Sequence, residues 1–230
     1  MIVFGKYVAK ELINNNIKIN KVYLSKNFDD KGILNFIENN NIRKTIMDKK
    51  DMDYKYKGNH QGIVLEIEDY KYSKLDSTYN DNFVVILDHL EDPHNLGAII
   101  RTCAAAEVDA IIIPKDRQVG VNSTVMKTSG GTLINTKIAS VSNLVNTIKK
   151  LKKNGFWVVG TALENSIDYR KIDYSGKVAL VIGNEGHGMS RLVTEECDFI
   201  ANIPMNKDVN SLNASVASGI MIYEVVRNRK

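Results

Sequence analysis

Apolar residues follow two different patterns along the 230-residue chain. In the first part, "GKYVAKELI" and "GILNFIENN" carry apolar residues at helical spacing, whereas "KVYLS" and "GIVLEIE" are typical of short strands. These elements predict a small α/β domain over residues 1–70. The polar stretch that follows has no apolar period, which predicts a linker at 71–82.

From residue 83 the strand-like segments become almost continuously apolar, as in "FVVIL", "AIIIP", "FWVVG" and "VALVI", and they alternate with helical segments. Such strands predict a parallel sheet that helices cover on both faces, so residues 83–230 form a second α/β domain. Its last helix starts near Leu212. Leu212, Val216, Ile220 and Tyr223 recur at helical spacing there, which predicts a core-facing stripe.

The formal net charge is +4, and its excess lies in the first third of the chain. Residues 1–75 carry 14 Lys and Arg against 10 Asp and Glu, whereas the remainder carries 17 of each. This asymmetry is compatible with an anionic partner for the first domain, although an ordinary solvated surface explains it at least as well.

The cysteines and the apolar runs indicate where the protein works. No apolar run approaches the roughly 20 residues of a membrane helix, and "MIVFGKYVAKEL" lacks a signal-peptide core, so we expect a cytoplasmic protein without membrane contact. Cys103 and Cys197 have no Cys or His at metal-ligand spacing, which argues against a metal site and a disulfide framework. Cys103 lies in an apolar run and is predicted to be a buried core residue rather than a nucleophile.

Three polar clusters follow apolar strands, where open parallel sheets bind their ligands. In the first, "LDHLEDPHNLGAIIRT", Pro93 sets the turn and Asn95 is expected to cap the next helix. Arg101 lies two turns into that helix, where an exposed surface arginine and a residue that reaches the site are equally good interpretations.

The second cluster is the loop "GNEGHGMS" after "VALVI", with glycines at Gly183, Gly186 and Gly188. This spacing matches neither the dinucleotide fingerprint nor the phosphate-binding P-loop. Glu185, in the middle of the loop, suits a positively charged ligand better than a phosphate. A simple tight turn remains the alternative interpretation.

The third cluster, "IPMNKDVNSLNASVASGIMIYEVV", places Asn210, Ser211 and Asn213 in the first turn of the last helix. One of them is expected to cap the helix, and three exceed what a cap requires. The small residues that follow would allow close packing against another backbone or a partner helix.

Taken together, "EDPHNLGAIIRTC", "LVIGNEGHGMS" and "IPMNKDVNSLNASVASGIMIYE" resemble the three motifs of the SpoU-type RNA ribose 2′-O-methyltransferases of the SPOUT superfamily. "VFGKYVAKELI" followed by "GNHQGIVLEI" resembles the N-terminal substrate-binding domain of the bacterial 23S ribosomal RNA guanosine 2′-O-methyltransferases. The resemblance implies a mostly parallel sheet with a deep C-terminal trefoil knot, S-adenosylmethionine as methyl donor, and a homodimer whose interface lies near the cofactor. It implies 23S ribosomal RNA as substrate, with transfer RNA as the alternative.

The resemblance also implies roles for individual residues. Six positions would hold the cofactor: Gly183, Asn184, Gly186, Ile203, Met205 and Leu212. Five polar residues would surround the reacting ribose: Asn95, Arg101, Glu185, Ser211 and Asn213. Lys55, Lys57 and His60 are candidates for RNA binding, although an ordinary polar loop explains them at least as well.

In this family the equivalent of Arg101 is proposed to act as the base. A guanidinium has a pKa above about 12 and rarely loses its charge, so we favour Arg101 as an electrostatic stabiliser of the developing alkoxide. Glu185 either orients neighbouring donors or balances the sulfonium and Arg101. Two further alternatives are methylation of a ribosomal RNA adenosine, as in thiostrepton-resistance relatives, and a catalytically silent RNA-binding protein. The presence of both Arg101 and Asn213 disfavours the silent protein.

Overall fold

The computed structural model describes residues 1–229 of the chain, which folds as two compact units. The first unit contains residues 1–71 and 121–134, and the second contains residues 72–120 and the chain from residue 135. The predicted linker segment falls largely in the second unit, where Leu75–Thr78 forms a 3-10 helix.

The first unit is built on a four-stranded mixed sheet. Its strands are β1 (Ile2–Phe4), β2 (Ile19–Ser25), β3 (Lys44–Met47) and β4 (Ile63–Ile67). Their order is β1-β4-β2-β3, with β4 antiparallel to β1 and β2, and β3 parallel to β2. The helices are α1 (Lys6–Asn14), α2 (Lys31–Asn39) and α3 (Lys49–Lys55). The four elements predicted here are confirmed, whereas β1, β3 and α3 were missed because they are too short to show a period.

The second unit is built on a seven-stranded sheet. Its strands are β5 (Phe83–Leu87), β6 (Ala110–Pro114), β7 (Ile138–Val141), β8 (Phe156–Thr161), β9 (Ile167–Asp168), β10 (Lys177–Ile182) and β11 (Phe199–Asn202). Their order is β7-β6-β5-β10-β8-β11-β9, and every neighbouring pair is parallel. The predicted α/β fold with a parallel sheet is therefore confirmed.

Helices lie on both faces of this sheet, as the apolar strands predict. The remaining helices are α4 (Pro93–Ala105), α5 (Ser123–Thr128), α6 (Leu144–Lys153), α7 (Arg191–Glu196) and α8 (Ala214–Arg227). Ile148 of α6 and Val193 of α7 join alternate strand residues in one core. The intervening strand residues, such as Val85 and Leu180, are also buried, and α8 packs against α4 and β10. None of these helices is long and apolar enough to cross a lipid bilayer.

One helix in the middle of the chain belongs to the first unit. The short helix α5 lies in the 121–134 segment and packs against β1. Asn122 caps it by accepting hydrogen bonds from the backbone N–H groups of Thr124 and Val125. The sequence pattern did not predict this excursion, because only the long-range contact with β1 defines it.

The last described residue, Arg229, contacts the chain at the amino ends of two strands of the seven-stranded sheet. The Arg229 guanidinium donates to the carbonyl oxygens of Asn82 at 2.6 Å and Gly176 at 2.7 Å, just before β5 and β10. It also lies 5.0 Å from the centre of the Phe83 ring. Burial lowers the pKa of Arg229 from its usual value. These contacts anchor the end of α8 to two central strands.

Two local predictions for the second domain were wrong, and the first concerns the start of α4. Asn95 does not cap α4, because the helix already begins at Pro93 and Asp92 accepts from the His94 N–H at 2.9 Å. Proline is favoured at the first helical position, where its missing N–H has no intrahelical partner to lose. Cys103, by contrast, is fully buried as predicted.

The stripe predicted on α8 does not face the core as a whole. Val216 and Tyr223 are each 51% exposed. The buried side of the helix carries Ala214, Ser218, Met221, Ile222, Glu224 and Val225. Because α8 is apolar on both sides, periodicity alone could not determine which side packs, and the small residues allow the close approach to α4.

Candidate active site

A cavity of about 500 Å³ lies at the carboxyl ends of three adjacent strands, β8, β10 and β11. Its walls come from residues 161–164 at the end of β8, residues 182–189 at the end of β10, and Asn202, Ile203 and Met205 at the end of β11. The start of α8 supplies Ala214 and Ala217. This volume falls within the range of about 300–1,000 Å³ that is usual for small-molecule sites.

All six residues expected to hold a cofactor line this cavity: Gly183, Asn184, Gly186, Ile203, Met205 and Leu212. Glu185 and Ser211, from the set expected around the ribose, line it as well. The sequence did not predict the wall formed by residues 161–164, because this wall depends on β8 lying beside β10. The only available signal was the position of these residues after an apolar strand.

The loop after β10 folds tightly on itself. Asn184 and Gly188 exchange two backbone hydrogen bonds of 2.9 Å, and the Asn184 side chain accepts from the Gly186 N–H at 2.8 Å. A Cβ atom on Gly183 would lie 2.4 Å from backbone atoms of both Gly188 and Met189. Only glycine fits at 183, because the obstacle is backbone rather than a movable side chain.

The same loop is attached at two points to the turn after β5. Asn184 Nδ2 donates to the carbonyl oxygen of His89 at 2.7 Å. The buried Asp88 carboxylate accepts from the Ser190 N–H at 2.7 Å and lies 2.5 Å from His89 Nδ1. Asp88 therefore positions the end of the loop, a role that the sequence did not reveal.

A chain of hydrogen bonds joins the three polar clusters. Asn95 Nδ2 donates to Glu185 Oε1 at 2.5 Å, and Asn213 Nδ2 donates to Asn95 Oδ1 at 3.0 Å. Asn213 Oδ1 in turn caps α8 by accepting from the Ser215 N–H at 2.9 Å. Because an ionised carboxylate only accepts, Asn95 must direct its amide nitrogen toward Glu185. We call these three side chains the Asn95 bridge.

The remaining two residues of the expected ribose site are in different surroundings. Ser211 is exposed at the cavity wall. Arg101 is exposed on α4, six residues after Asn95, and among the described residues it belongs neither to the cavity wall nor to the Asn95 bridge. A guanidinium in this position is in contact with water and available to an anionic ligand.

The residues expected to bind RNA are separated by burial. Lys55 and Lys57 are exposed, and Lys55 Nζ lies 5.1 Å and 5.2 Å from the ring centres of Tyr23 and Tyr56. His60 is only 3% exposed: its Nε2 lies 2.8 Å from Asp53 Oδ1 and its Nδ1 accepts from the Gly62 N–H at 3.0 Å. The structure therefore places the lysines, but not His60, on the surface.

Comparisons with known proteins agree with this arrangement. Residues 82–223 match the model of the SpoU rRNA methylase family, and residues 2–73 match the RNA 2′-O ribose methyltransferase substrate-binding model. A TrmH family tRNA/rRNA methyltransferase of Staphylococcus saprophyticus is 44% identical and covers 100% of this chain and 96% of that protein.

Solved structures show the same fold. The AdoMet-bound rRNA methyltransferase from Sinorhizobium meliloti has a TM-score of 0.84 at 28% identity, over 98% of this chain and 86% of that one. The SpoU methyltransferase AviRb from Streptomyces viridochromogenes, in complex with AdoMet, has a TM-score of 0.84 at 22% identity, over 100% and 90% of the two chains.

The matched family models and the 44% identical relative thus identify an RNA methyltransferase, and the fold with its cavity at the carboxyl edge of the sheet agrees with that class. The chain belongs to the SpoU rRNA methylase family, within the TrmH/SpoU group of enzymes.

Proposed function

We propose that this protein transfers a methyl group from S-adenosylmethionine to a ribose 2′-hydroxyl, with a guanosine of 23S ribosomal RNA as its target. The observation that carries the proposal is the convergence of the six expected cofactor residues on one cavity, beside the Asn95 bridge. The AdoMet-bound relatives support the choice of cofactor.

The residues of the cavity fit this cofactor. It has no phosphate, which agrees with a loop that contains Glu185 and no lysine. Ile203, Met205 and Leu212 provide an apolar wall, and the glycine-rich loop brings backbone groups close to a ligand. When bound, S-adenosylmethionine supplies an electrophilic methyl group attached to a sulfonium.

The residues of the chain would position the ribose and stabilise charge. Holding the 2′-oxygen in a reactive orientation contributes much of the acceleration in such reactions. We propose that Asn95 fixes Glu185 for this purpose, that the 2′-hydroxyl proton passes to bulk water as the O–CH3 bond forms, and that the Arg101 guanidinium stabilises the developing alkoxide and contacts the neighbouring phosphate.

The pH–rate profiles of wild type and Arg101→Lys test the assignment of Arg101. If Arg101 is an electrostatic stabiliser, Arg101→Lys keeps the pH dependence of the rate at high pH, called the basic limb of the profile, while the rate itself falls. Loss of that limb with unchanged RNA affinity would instead make Arg101 the base.

We also propose the trefoil knot. Strand β10 lies between β5 and β8, although β8 precedes it in the chain. After β11, on the far side of β8, the chain returns through residues 203–213 to α8, which packs against α4 and β10. This return path is compatible with a chain end that passes through a loop, although knots are rare.

We propose a homodimer that uses the exposed stripe of α8. Val216 and Tyr223 are about half exposed, on a helix that begins at the cavity wall. They are seven residues apart, so they lie on the same side of the helix, and a contiguous apolar patch marks association sites. Sedimentation of wild type and Tyr223→Glu tests the assignment: a dimer that becomes monomeric supports it, and an unchanged sedimentation coefficient contradicts it.

The first unit is proposed to bind the RNA substrate. Lys21 Nζ lies 4.6 Å from the Tyr23 ring centre, and the Tyr23 and Tyr56 rings are 5.4 Å apart. Together with Lys55 and Lys57, these residues combine cations with aromatic rings, as RNA-binding surfaces do. We propose that residues 1–70 form the substrate-binding domain and that residues 83–230 form the catalytic domain. We also propose a cytoplasmic location.

Methyl transfer to purified, deproteinised ribosomal and transfer RNA tests the proposed function. We expect one 2′-O-methylguanosine in the large-subunit RNA. Label confined to transfer RNA, or to a ribosomal adenosine, would retain the chemistry and reject the target. No label in any RNA, with S-adenosylmethionine still bound, would favour either a ribosomal particle as the substrate or the silent RNA-binding alternative.

A further inference from the structure

The first unit contains a second cavity, of about 490 Å³. It lies at the edge of the sheet where β1, β2 and β3 end and β4 begins. Residues at or next to the ends of these strands line it, among them Lys6, Ser25, Lys49 and Gly62. The loops that connect to the four strands at this edge of the sheet thus form a concave surface.

One wall of this cavity is a loop with an unusual backbone. Gly58, Gln61 and Gly62 have φ values of 129°, 53° and 78°. A non-glycine residue in the left-handed region, such as Gln61, is less stable by about 1–3 kcal/mol and persists only where the surroundings enforce it. Such positions cluster at functional sites.

Buried hydrogen bonds enforce the conformation of the loop. His60 accepts from the Gly62 N–H with Nδ1, so its Nε2 carries the proton and donates to Asp53 Oδ1. Gln61 Oε1 accepts from the Lys6 N–H at 2.8 Å. A Cβ atom on Gly62 would lie 2.5 Å from Ser25 Oγ. The cavity wall is therefore organised before any ligand arrives.

The side chains that line the cavity favour a neutral, planar ligand. Three carboxamides, those of Asn27, Asn59 and Gln61, combine donors and acceptors of the kind that recognise nucleobase edges. Phe28 adds an aromatic side chain. Formal charge is balanced, because Lys6 and Lys49 are matched by Asp29 and Asp53, and Lys6 pairs with Asp29 at 3.1 Å. This balance does not favour a phosphate.

We propose that this cavity binds one unpaired nucleobase of the RNA substrate, inserted against Phe28 and read by the carboxamides. The inference rests on the proposed function for the identity of the polymer as RNA. It differs from the surface proposed above, which is formed by Lys21, Tyr23, Lys55, Tyr56 and Lys57, in that the cavity encloses a single base. Single-stranded bases that are splayed out are the usual targets of sequence-specific RNA recognition.

Photochemical cross-linking tests the location of the base directly. Wild-type protein is mixed with the ribosomal or transfer RNA that accepts the methyl group and irradiated with short-wavelength ultraviolet light. The cross-linked peptides are then identified by mass spectrometry. The inference predicts cross-links within residues 25–29 and 58–62. Cross-links confined to other parts of the chain would overturn it.

Two substitutions that fill the cavity test its contribution to affinity. Asn27→Trp and Asn59→Trp change exposed positions at the cavity, and Asn39→Trp, at the end of α2, is the control at an exposed position outside it. We expect at least one cavity variant to raise the Kd for RNA tenfold or more, with S-adenosylmethionine affinity unchanged and the control within twofold of wild type.

The outcomes separate this inference from the proposed function. Cavity variants with wild-type RNA affinity and wild-type methylation would overturn the nucleobase site while leaving the methyltransferase assignment intact. Wild-type protein that neither binds nor methylates RNA would overturn the proposed function, and this inference with it.

Discussion

The Asn95 bridge provides a quantitative test of how the site is assembled. Asn95→Asp keeps the shape of the side chain and its acceptor toward Asn213, but it places a carboxylate where Glu185 now accepts a hydrogen bond. A hydrogen bond to a charged group contributes about 1.5–3 kcal/mol. Glu185 is exposed and solvent screens the repulsion, so we take about 2 kcal/mol as the total effect.

This free energy has a measurable consequence for cofactor binding. The loop that carries Glu185 lines the cavity, and without the bridge the loop spends less time in the binding-competent conformation. Apparent affinity falls in proportion to the competent fraction, so about 2 kcal/mol corresponds to a rise of at most roughly 30-fold in the Kd for S-adenosylmethionine. Isothermal titration calorimetry measures this change without requiring catalysis.

A second substitution distinguishes the bridge from general damage. Glu185→Gln in the Asn95→Asp background restores a donor and acceptor pair with reversed polarity, because the new glutamine amide can donate to the new aspartate. We expect the double variant to bind within about fivefold of wild type, a coupling of about 1 kcal/mol or more. Effects of the two substitutions that add to within about 0.5 kcal/mol would refute the bridge.

Three other predictions concern the loop, the thiols and the chain end. Gly183→Ala forces a backbone clash and is expected to weaken S-adenosylmethionine binding tenfold or more. The control Gly32→Ala, where the added Cβ would have its nearest contact at an ordinary 3.5 Å, leaves the affinity unchanged. Equal affinities of the two variants in calorimetry would contradict the steric argument. Burial raises the pKa of Cys103 above its usual value and that of Cys197 to about 12, so both are protonated at neutral pH. We expect neither native thiol to react rapidly with Ellman's reagent at pH 8, while both react in denaturant; rapid native labelling would disprove this. Arg229→Ala removes the anchor of α8 and should lower the Tm by roughly 3–6 °C. The Tm of Arg229→Lys should lie between those of wild type and Arg229→Ala. An unchanged Tm of Arg229→Ala in calorimetry would show that the anchor is not stabilising.

The sequence was most informative where a short-range pattern determines the structure. The apolar run before Gly183 predicted β10, and the alternation of apolar strands with helices predicted a parallel sheet with covered faces. The resemblance of the motifs predicted six residues that line one cavity.

Features that depend on long-range pairing were missed. The wall formed by residues 161–164 requires β8 to lie beside β10, and the position of α5 requires β1. The exposed side of α8, marked by Val216 and Tyr223, could not be recognised in a helix that is apolar all round. His60 resembled a residue of a polar loop, because its burial depends on Asp53 and Gly62 being brought to it by the fold.

The central claim is that the methyl group is transferred to a ribose 2′-oxygen. The most direct test is alkaline hydrolysis of RNA that the protein has labelled from methyl-labelled S-adenosylmethionine. A 2′-O-methyl group blocks cleavage of the adjoining phosphodiester, so the account predicts that the label is recovered in alkali-resistant dinucleotides. Label recovered in mononucleotides would show methylation of a base and would contradict the account.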